Sequence, residues 1–304
     1  MAISAETIDS VAYQLLWRAA ILLPADVKEA LNRARASEVD PMAQRQLDAI
    51  LTNVRMAEET RTSICQDTGV PLFFVNLGTA CRIEGDPAAA LRQAVVRATA
   101  DIPLRQTVVH PLDFSNPGTN TGWGTPIIHY DLIPGAPYLE ITATTKGFGA
   151  EMRSTLVWIL TSEDSRKAAL KVVLDTVEDA GGEPCPPVIV GLGIGGTAEQ
   201  SMLNAKRALF RSHLGTPNPD PDVAALEQQI LTAVNGIRLG PMGFGGNSYA
   251  LAVHAELCGT HTALVPISVI FQCWAHRYST ARIYDDGTVE YVTHPEGVTH
   301  VQRV

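Results

Sequence analysis

The N-terminal segment, residues 1–60, carries apolar side chains at the three- and four-residue spacing of amphipathic helices. In its first part these positions are Ile8, Val11, Leu15, Leu16, Ala19 and Leu22. Because proline cannot continue a helix, Pro24 ends this part, and a second helix is predicted over residues 25–35. Asp40 and Pro41 are an N-cap residue and a first-turn proline, which predict a third helix. We therefore expect a helical N-terminal module.

From Thr62 onward, short apolar runs alternate with glycine-rich loops and amphipathic segments. Strands are predicted at residues 72–77, 126–132, 138–145, 188–190, 248–256 and 264–271, with a hairpin through residues 285–287. Helices are predicted at residues 86–100, 163–180, 197–211 and 222–237. The turn at residues 134–137 predicts that the two strands beside it pair with each other. The chain is thus predicted to be α/β (mixed α+β), with mixed sheets and flanking helices after the helical module.

The charge balance narrows the classes of partner. The chain has 304 residues, with 23 Lys and Arg against 32 Asp and Glu, which gives a formal net charge of −9. An acidic chain without a block of basic residues is a poor binder of nucleic acid and of anionic membranes. The N-terminus lacks the features of a secretory signal, and no apolar run approaches the roughly 18 residues of a membrane span. We expect a cytoplasmic protein with reduced thiols.

Five cysteines are the strongest candidates for chemistry. Their odd number argues against a disulfide scaffold, and the lack of a Cys-x-x-Cys pair excludes a zinc ribbon or a ferredoxin-type motif. Cys65, Cys185 and Cys273 lie in loops at the ends of predicted elements, where thiols can converge. Cys81 and Cys258 lie within apolar segments and are predicted to be packed core thiols. From spacing alone, the interpretation of all five as small buried side chains stays open.

Several short motifs in a fixed order match one known family. They are Cys65-Gln66-Asp67-Thr68-Gly69, Leu104-Arg105, Val108-Val109-His110-Pro111, Cys185-Pro186-Pro187, residues 191–197 and 243–248, His254, His261 and Cys273-Trp274-Ala275-His276-Arg277. Over nearly its whole length the chain resembles the alpha subunit (N-terminal catalytic domain) of iron–sulfur hydro-lyases, the class I fumarate hydratases and L(+)-tartrate dehydratases. The resemblance implies one alpha-type catalytic domain over residues 1–304, with residues 61–304 as its cluster-binding α/β body.

The resemblance implies a hydro-lyase that adds or removes water on a C4-type hydroxy-dicarboxylate, either malate/fumarate or L-tartrate/oxaloacetate. Cys65, Cys185 and Cys273 match the ligands of a [4Fe–4S] cluster whose fourth iron is open to substrate. Single-chain members continue into a second domain that supplies further substrate-binding residues. The resemblance therefore implies a separate beta subunit, in a heterotetramer or an alpha–beta dimer, and a chain that is inactive alone.

Further roles follow from the same resemblance. Gln66, Arg105 and Gly149 match substrate-binding positions, and a planar guanidinium suits a carboxylate. Asp67 matches a residue that lines the substrate pocket, and His261 matches a histidine near the cluster and the reacting carbons. On chemical grounds, Asp67 paired with His261 is expected to be catalytic and to pass a proton to the departing hydroxyl. From the residues alone, Asp67 is better explained as an Asx turn and Arg105 as a surface ion-pair partner.

The chain departs from the family pattern at three places. Phe148 interrupts a run of glycines and is expected to reshape the pocket. His110 stands where fumarases tend to carry an acidic residue, and residues 273–277 are closer to the tartrate dehydratases. These departures favour a tartrate-like or unusual substrate.

Two other functions stay open. Gly191, Gly193 and Gly196 fit the G-x-G-x-x-G pattern of an NAD-dependent dehydrogenase, but the acidic residue expected about 20 residues later is missing. The same loop suits anion binding at a helix N-terminus. A non-catalytic Fe–S sensor or electron-transfer subunit would need a fourth thiolate, for which Cys258 is the candidate.

Overall fold

The computed structural model describes residues 2–294, which divide into two compact units. The first unit contains the N-terminal residues up to Ala25, then Val54–Lys146, then the segment from Arg277 onward. The second unit contains Asp26–Asn53 and Gly147–His276. The single domain over residues 1–304 stays a prediction.

The helices and strands confirm the mixed α/β class. In chain order they are β1 (Ile3–Ser4), α1 (Ala5–Ile21), α2 (Ala25–Ser37), α3 (Pro41–Thr60), β2 (Val70–Gly78), β3 (Ile83–Glu84), α4 (Pro87–Asp101), β4 (Ile127–Ile133), β5 (Tyr138–Lys146), α5 (Phe148–Glu151), β6 (Thr155–Leu160), α6 (Ser165–Ala180), β7 (Val188–Ile194), α7 (Ala198–Ala208), α8 (Pro221–Gly236), β8 (Ala250–Leu257), β9 (Leu264–Gln272), β10 (Tyr278–Tyr284) and β11 (Val289–Tyr291). A short 3-10 turn lies at Pro241–Gly243. No helix within residues 2–294 is long and apolar enough to cross a membrane.

Side-chain caps place the predicted helix starts. Asp40 Oδ1 accepts hydrogen bonds from the N–H groups of Met42 and Ala43, at 2.8 and 3.0 Å. Asp86 caps α4 in the same way, with a proline in the first turn. These carboxylates satisfy N–H groups that have no acceptor inside the helix, so the boundaries were visible in the sequence.

The first unit is built on a five-stranded sheet with the strand order β11-β10-β5-β2-β4. β2 and β4 are parallel, whereas the other neighbours in the sheet are antiparallel. Helices α1 and α4 pack with this sheet around a core that includes Leu15, Phe73, Leu91, Ile141 and Ile283. Cys81 packs against the same core, as predicted.

The predicted pairing of the strands at residues 126–132 and 138–145 is wrong, because β2 lies between β4 and β5. β2 is almost entirely buried and takes an interior place, whereas β4 exposes Ile127, Tyr130 and Leu132 at the edge. The connection between them crosses the end of β2 at Gly78, where an added Cβ would lie 2.2 Å from Ala136 O. A close approach of this kind requires glycine.

The second unit is built on a four-stranded sheet with the order β6-β9-β7-β8. β7 runs parallel to β8 and antiparallel to β9. Val188, Val190 and Leu192 face the core shared with α6 and α8. The alternate positions, Gly191 and Gly193, face α7, because side chains alternate along a strand.

His254 is a buried histidine of β8, with 1% of its surface exposed. Its Nε2 accepts a hydrogen bond from the N–H of Gly215 at 3.1 Å, and Nδ1 lies 3.0 Å from Ala208 O. Nε2 can accept only when it carries no proton, so these contacts hold a neutral ring with its proton on Nδ1. Burial, with a smaller contribution from the nearby Arg211 charge, lowers the pKa of His254 to about 4.

The lowered pKa of His254 predicts acid sensitivity. The unfolded chain protonates this group near its ordinary pKa of 6.5, whereas the folded chain keeps it neutral down to about pH 4. Its contribution to stability is thus complete above pH 6.5 and falls by about 3 kcal/mol on acidification to pH 4. Urea unfolding at pH 7, 5.5 and 4.5 measures this loss. His254→Asn should be less stable at pH 7 but lose less on acidification, and an unchanged pH dependence would contradict the assignment.

Candidate active site

The 65–69 loop lies in the first unit, directly before β2. Asp67 Oδ1 accepts a hydrogen bond from the N–H of Gly69 at 3.1 Å, which closes the Asx turn that the sequence suggests. Gly69 has a φ of +78°, a conformation that glycine adopts without strain. Cys65 and Asp67 are half-buried, and Gln66 is exposed. The turn therefore holds a thiol, an amide and a carboxylate in one short, ordered segment.

The structure brings Arg105 to this loop. The N–H of Arg105 donates to Thr68 Oγ1 at 2.9 Å, and Thr107 Oγ1 donates to Gly69 O at 2.8 Å. The Arg105 side chain is exposed and makes no ion pair with any carboxylate among residues 2–294. The backbone of Arg105 is therefore fixed beside Thr68 of the 65–69 loop, while its guanidinium stays available. The interpretation of Arg105 as a surface ion-pair partner is not supported.

Asn120 fixes the same segment from the other side and was missed in the sequence. It is 1% exposed, and its Oδ1 accepts from the N–H groups of Thr107 and Val108 at 2.7 and 3.2 Å. Its Nδ2 donates to Arg105 O at 2.9 Å and to Thr99 Oγ1 at 3.2 Å. One buried amide thus satisfies four partners and sets the course of the chain at Arg105. Asn120 has a φ of +55°, a conformation that asparagine adopts more often than most residues. In the sequence, the only sign of this was an asparagine in a turn-rich stretch.

Arg277 holds the 65–69 loop through its backbone. Its side chain is 1% exposed, Nε donates to Thr145 O at 3.1 Å, and Nη2 donates to Asp67 O at 2.5 Å. Thr144 Oγ1 in turn donates to Arg277 O at 2.7 Å. The guanidinium therefore joins the loop to the end of β5. In the sequence, Arg277 was recognised only as the last residue of the 273–277 motif, without a role of its own.

The strand register of the second unit brings Cys185 and Cys273 together. Cys185 precedes β7 and Cys273 follows β9, whose residue Gln272 pairs with Ile189 at the start of β7. The N–H of Trp274 donates to Cys185 O at 3.2 Å, which joins the two loops directly. Both thiols are half-buried. The two loops are therefore neighbours, whereas the convergence of their thiols on one cluster stays a prediction.

The loop that carries Cys185 is closely packed. Cys185 has a φ of +55°, an uncommon conformation for a residue with a side chain. The N–H of Met242 donates to Pro186 O at 2.9 Å. An added Cβ on Gly182 would lie 2.7 Å from Met242 O, so glycine is required there. The backbone of residues 240–243 thus supports the Cys185 loop.

The buried carboxylate of Glu38 holds the segment that follows residues 240–243. Glu38 is 2% exposed and accepts hydrogen bonds from the N–H groups of Val39 and Asn247, at 2.9 and 2.7 Å. Burial raises the pKa of Glu38, but hydrogen bonds from backbone N–H groups and from Ser248 outweigh it, so the net pKa is lowered. The glycine-rich segment 243–248 is therefore held by an ionised side chain from the connection between α2 and α3.

Gly149, a predicted substrate-binding residue, lies near the Cys185 loop. An added Cβ on Gly149 would lie 3.3 Å from Glu183 O, and Arg153 Nε donates to the Glu183 carboxylate at 2.6 Å. The neighbouring Phe148 is 56% exposed. α5 and the cysteine loop are therefore neighbours within the second unit.

His261 and Cys258 lie at the other end of the same sheet. Both follow β8, which ends beside the carboxyl end of β7, and the N–H of Cys258 donates to Ile194 O at 2.9 Å. A seven-residue strand spans about 20 Å, which separates them from Cys185 and Cys273. The prediction of Cys258 as a packed core thiol is wrong, because it lies one residue beyond β8 and is exposed. Its position also weakens it as a fourth cluster ligand.

The glycine-rich loop serves the packing of α7. Residues 191–194 continue β7 rather than forming a loop. An added Cβ on Gly191 or Gly193 would lie 2.0 Å from Ala205 O or Ser201 O of α7. These glycines let the helix backbone approach the strand, which accounts for them without a dinucleotide.

Thiols are the usual protein ligands of iron–sulfur clusters, so the residue types of Cys185 and Cys273 are compatible with such a cluster. Within residues 2–294, no group of three His, Cys, Asp or Glu side chains is placed to hold one metal ion. In a [4Fe–4S] cluster each thiolate binds a different iron, so the protein ligands need not meet at one atom. The paired loops of Cys185 and Cys273 supply two such thiols. Arg277 supplies a buried positive charge, without a carboxylate partner among residues 2–294, beside the 65–69 loop.

Comparison with known proteins gives one consistent match. Residues 9–282 match the family described as "Fumarate hydratase (Fumerase)". A Methanocaldococcus jannaschii protein with the provisional name L(+)-tartrate dehydratase subunit alpha is 40% identical over 281 residues, covering 91% of this chain and 97% of that protein. The L(+)-tartrate dehydratase subunit alpha of Escherichia coli strain K12 is 32% identical over 272 residues, covering 90% of this chain and 89% of that protein. The Shigella sonnei protein of the same name has the same identity and coverage.

The contacts of Asn120 predict a local loss of order on its removal. Asn120→Ala leaves the N–H groups of Thr107 and Val108 without their acceptor, which costs about 1–3 kcal/mol. Amide hydrogen exchange at these two residues should accelerate roughly tenfold or more. Asn116→Ala is the matched control, since Asn116 is exposed in the same loop and its hydrogen bonds within residues 2–294 go to Gln106 O and to the N–H of Gly118. Equal exchange in both variants would contradict the role of Asn120.

Proposed function

The chain belongs to the fumarate hydratase family, and from this premise we propose that it is the alpha subunit of a [4Fe–4S]-dependent hydro-lyase. The observation that carries the proposal is the match over residues 9–282, within which all five cysteines and all the predicted site residues fall. Membership makes the chain a hydro-lyase. Its substrate is proposed to be a C4-type hydroxy-dicarboxylate. The names of its relatives favour L-tartrate/oxaloacetate over malate/fumarate.

Cys65, Cys185 and Cys273 are proposed to hold the cluster. Support comes from the paired loops of Cys185 and Cys273 and from the ordered turn that follows Cys65. When bound, a cluster with three protein thiolates supplies a Lewis-acidic iron with one open position. Cys258 is not included, because it lies at the opposite end of β7 from Cys185 and Cys273.

Substrate binding is assigned to Arg105, Gln66 and Gly149. The exposed guanidinium of Arg105 offers two parallel N–H donors to a carboxylate. Gln66 is exposed beside it on the 65–69 loop and offers an amide donor and acceptor. Gly149 lies next to the Cys185 loop and has no side chain to hinder the approach of substrate to its backbone. Fixing each backbone in advance lowers the entropy lost when the substrate binds.

Loss of water from a 2-hydroxy dicarboxylate requires removal of a C–H proton and departure of the hydroxyl group as water. We assign the proton delivered to the departing hydroxyl to the carboxyl of Asp67, whose position the Asx turn and Arg277 fix. The base that removes the C–H proton is assigned to the beta subunit. The catalytic role of His261 stays a prediction, because His261 lies at the other end of β7 from Cys185 and Cys273.

A separate beta subunit is the proposed partner, in a heterotetramer or an alpha–beta dimer. This chain covers 89–97% of the length of the relatives that are named alpha subunits. A protein that matches alpha subunits from end to end is expected to share their need for a second subunit. Neither nucleic acid nor a membrane is a proposed partner.

The activity is tested with the complete complex. The chain is co-expressed with its beta subunit, reconstituted anaerobically with iron and sulfide, and assayed with L-tartrate, D-tartrate, malate and fumarate. We expect turnover of L-tartrate to oxaloacetate by the complex and none by the chain alone. Arg105→Met should lower kcat/KM by roughly thirtyfold or more, since loss of a charged hydrogen bond costs about 2 kcal/mol or more. Arg92→Met removes another exposed arginine of the first unit and should leave activity unchanged.

A cluster-loaded complex that turned over none of the four dicarboxylates would overturn the proposed reaction.

The ligand assignment is tested by iron content. Cys185→Ser and Cys273→Ser should each abolish the visible absorbance of the cluster and most of the bound iron. Cys258→Ser is the matched control and should keep both, because Cys258 is exposed at the other end of the sheet. Loss of the cluster in Cys258→Ser as complete as in Cys185→Ser would contradict an open iron and favour a closed sensor or electron-transfer cluster.

A further inference from the structure

Arg277 is a buried cation without a carboxylate partner among residues 2–294. Among the described residues it is the largest fully buried side chain, and its hydrogen bonds go to two backbone carbonyls, Asp67 O and Thr145 O. Arg282, in the neighbouring strand β10, differs from Arg277 because it forms ion pairs with Glu140 and Glu290. An arginine kept out of water without a carboxylate is costly, and carbonyl dipoles offset only part of the cost.

The two carbonyls explain why the residue is arginine. Nε and Nη2 point to groups on different segments, one at the end of β5 and one in the 65–69 loop. A planar guanidinium presents several donors in a fixed fork, whereas a lysine ammonium is a single point on a flexible stem. Arg277 therefore fixes the distance between the two segments, which a lysine would not.

The position of Arg277 along the chain links it to the candidate ligands. Arg277 donates a hydrogen bond to Asp67 O, and Asp67 lies two positions after Cys65. Arg277 also follows Cys273 by four positions. Thiolates and an iron–sulfur cluster are anionic, so they would provide the negative charge that this cation lacks.

We propose that Arg277 is a positioning residue that holds the 65–69 loop for ligation and whose charge offsets that of the bound cluster. The proposal rests on the proposed cluster, but its first part concerns the chain alone. It assigns Arg277 a role that acts through Cys65 and Asp67 and requires no contact between Arg277 and substrate.

The test uses the alpha–beta complex with three variants. Arg277→Lys keeps the charge but not both hydrogen bonds, and Arg277→Gln removes the charge. Arg282→Gln is the matched control, because it removes an ion-paired arginine five residues further along, in the same β10 region. Circular dichroism and thermal unfolding establish that each variant is folded.

Loop order is measured first, in iron-free protein, by hydrogen exchange of the peptide that spans residues 62–70. We expect exchange at least threefold faster in Arg277→Lys and Arg277→Gln than in the unmodified chain, and no change in Arg282→Gln. Unchanged exchange in Arg277→Lys would overturn the positioning role. This measurement needs no cluster, so it is informative even if the proposed function fails.

The charge is measured second, in the reconstituted complex, by a redox titration followed by electron paramagnetic resonance. Removing a nearby positive charge disfavours the reduced, more negative cluster, so Arg277→Gln should have a lower midpoint potential and retain less iron. Arg277→Lys should keep a midpoint close to that of the unmodified complex. A midpoint in Arg277→Gln equal to the unmodified one would overturn the charge role. A complex that never assembles a cluster would instead refute the proposed function.

Discussion

The register of β7 is the constraint on which the second unit depends. Because β9 runs antiparallel to β7, the loop after β9 returns to the start of β7, where Cys273 meets the Cys185 loop. Because β8 runs parallel to β7, the segment that carries Cys258 and His261 begins at the opposite end. One pattern of backbone hydrogen bonds thus joins the Cys185 and Cys273 loops, although the two cysteines are 88 residues apart in the chain (273 − 185). The same pattern keeps Cys258 at the other end of the sheet, although it is only 15 residues from Cys273 (273 − 258).

In the first unit, the 65–69 loop is ordered through its backbone, while its side chains stay available. Thr68, Asn120 and Arg277 bond mainly to backbone groups around the 65–69 loop and Arg105. Hydrogen bonds to the backbone fix the path of the chain without engaging the guanidinium of Arg105 or the amide of Gln66. The residues that bind substrate in the proposed function therefore differ from those that hold them.

Local chemistry made much of the fold predictable. Caps such as Asp40 and Asp86 act within a few residues, so the helix starts could be placed from the sequence. The neighbours of each strand could not be predicted in this way. β2 lies between β4 and β5 because of contacts between residues that are far apart in the chain. The same limit explains Cys258, whose apolar neighbours suggested burial although the strand ends one residue earlier.

By itself the sequence determined the family, the helices with their caps, and the residue types suited to a cluster, an anion and a proton. These properties depend on side-chain chemistry and on spacing within short segments. Only the tertiary structure decided which of these residues meet: Arg105 with the 65–69 loop, Cys185 with Cys273, and Arg277 with Asp67 O. Such contacts depend on strand order and register, which arise from packing over the whole unit and leave no local pattern in the sequence.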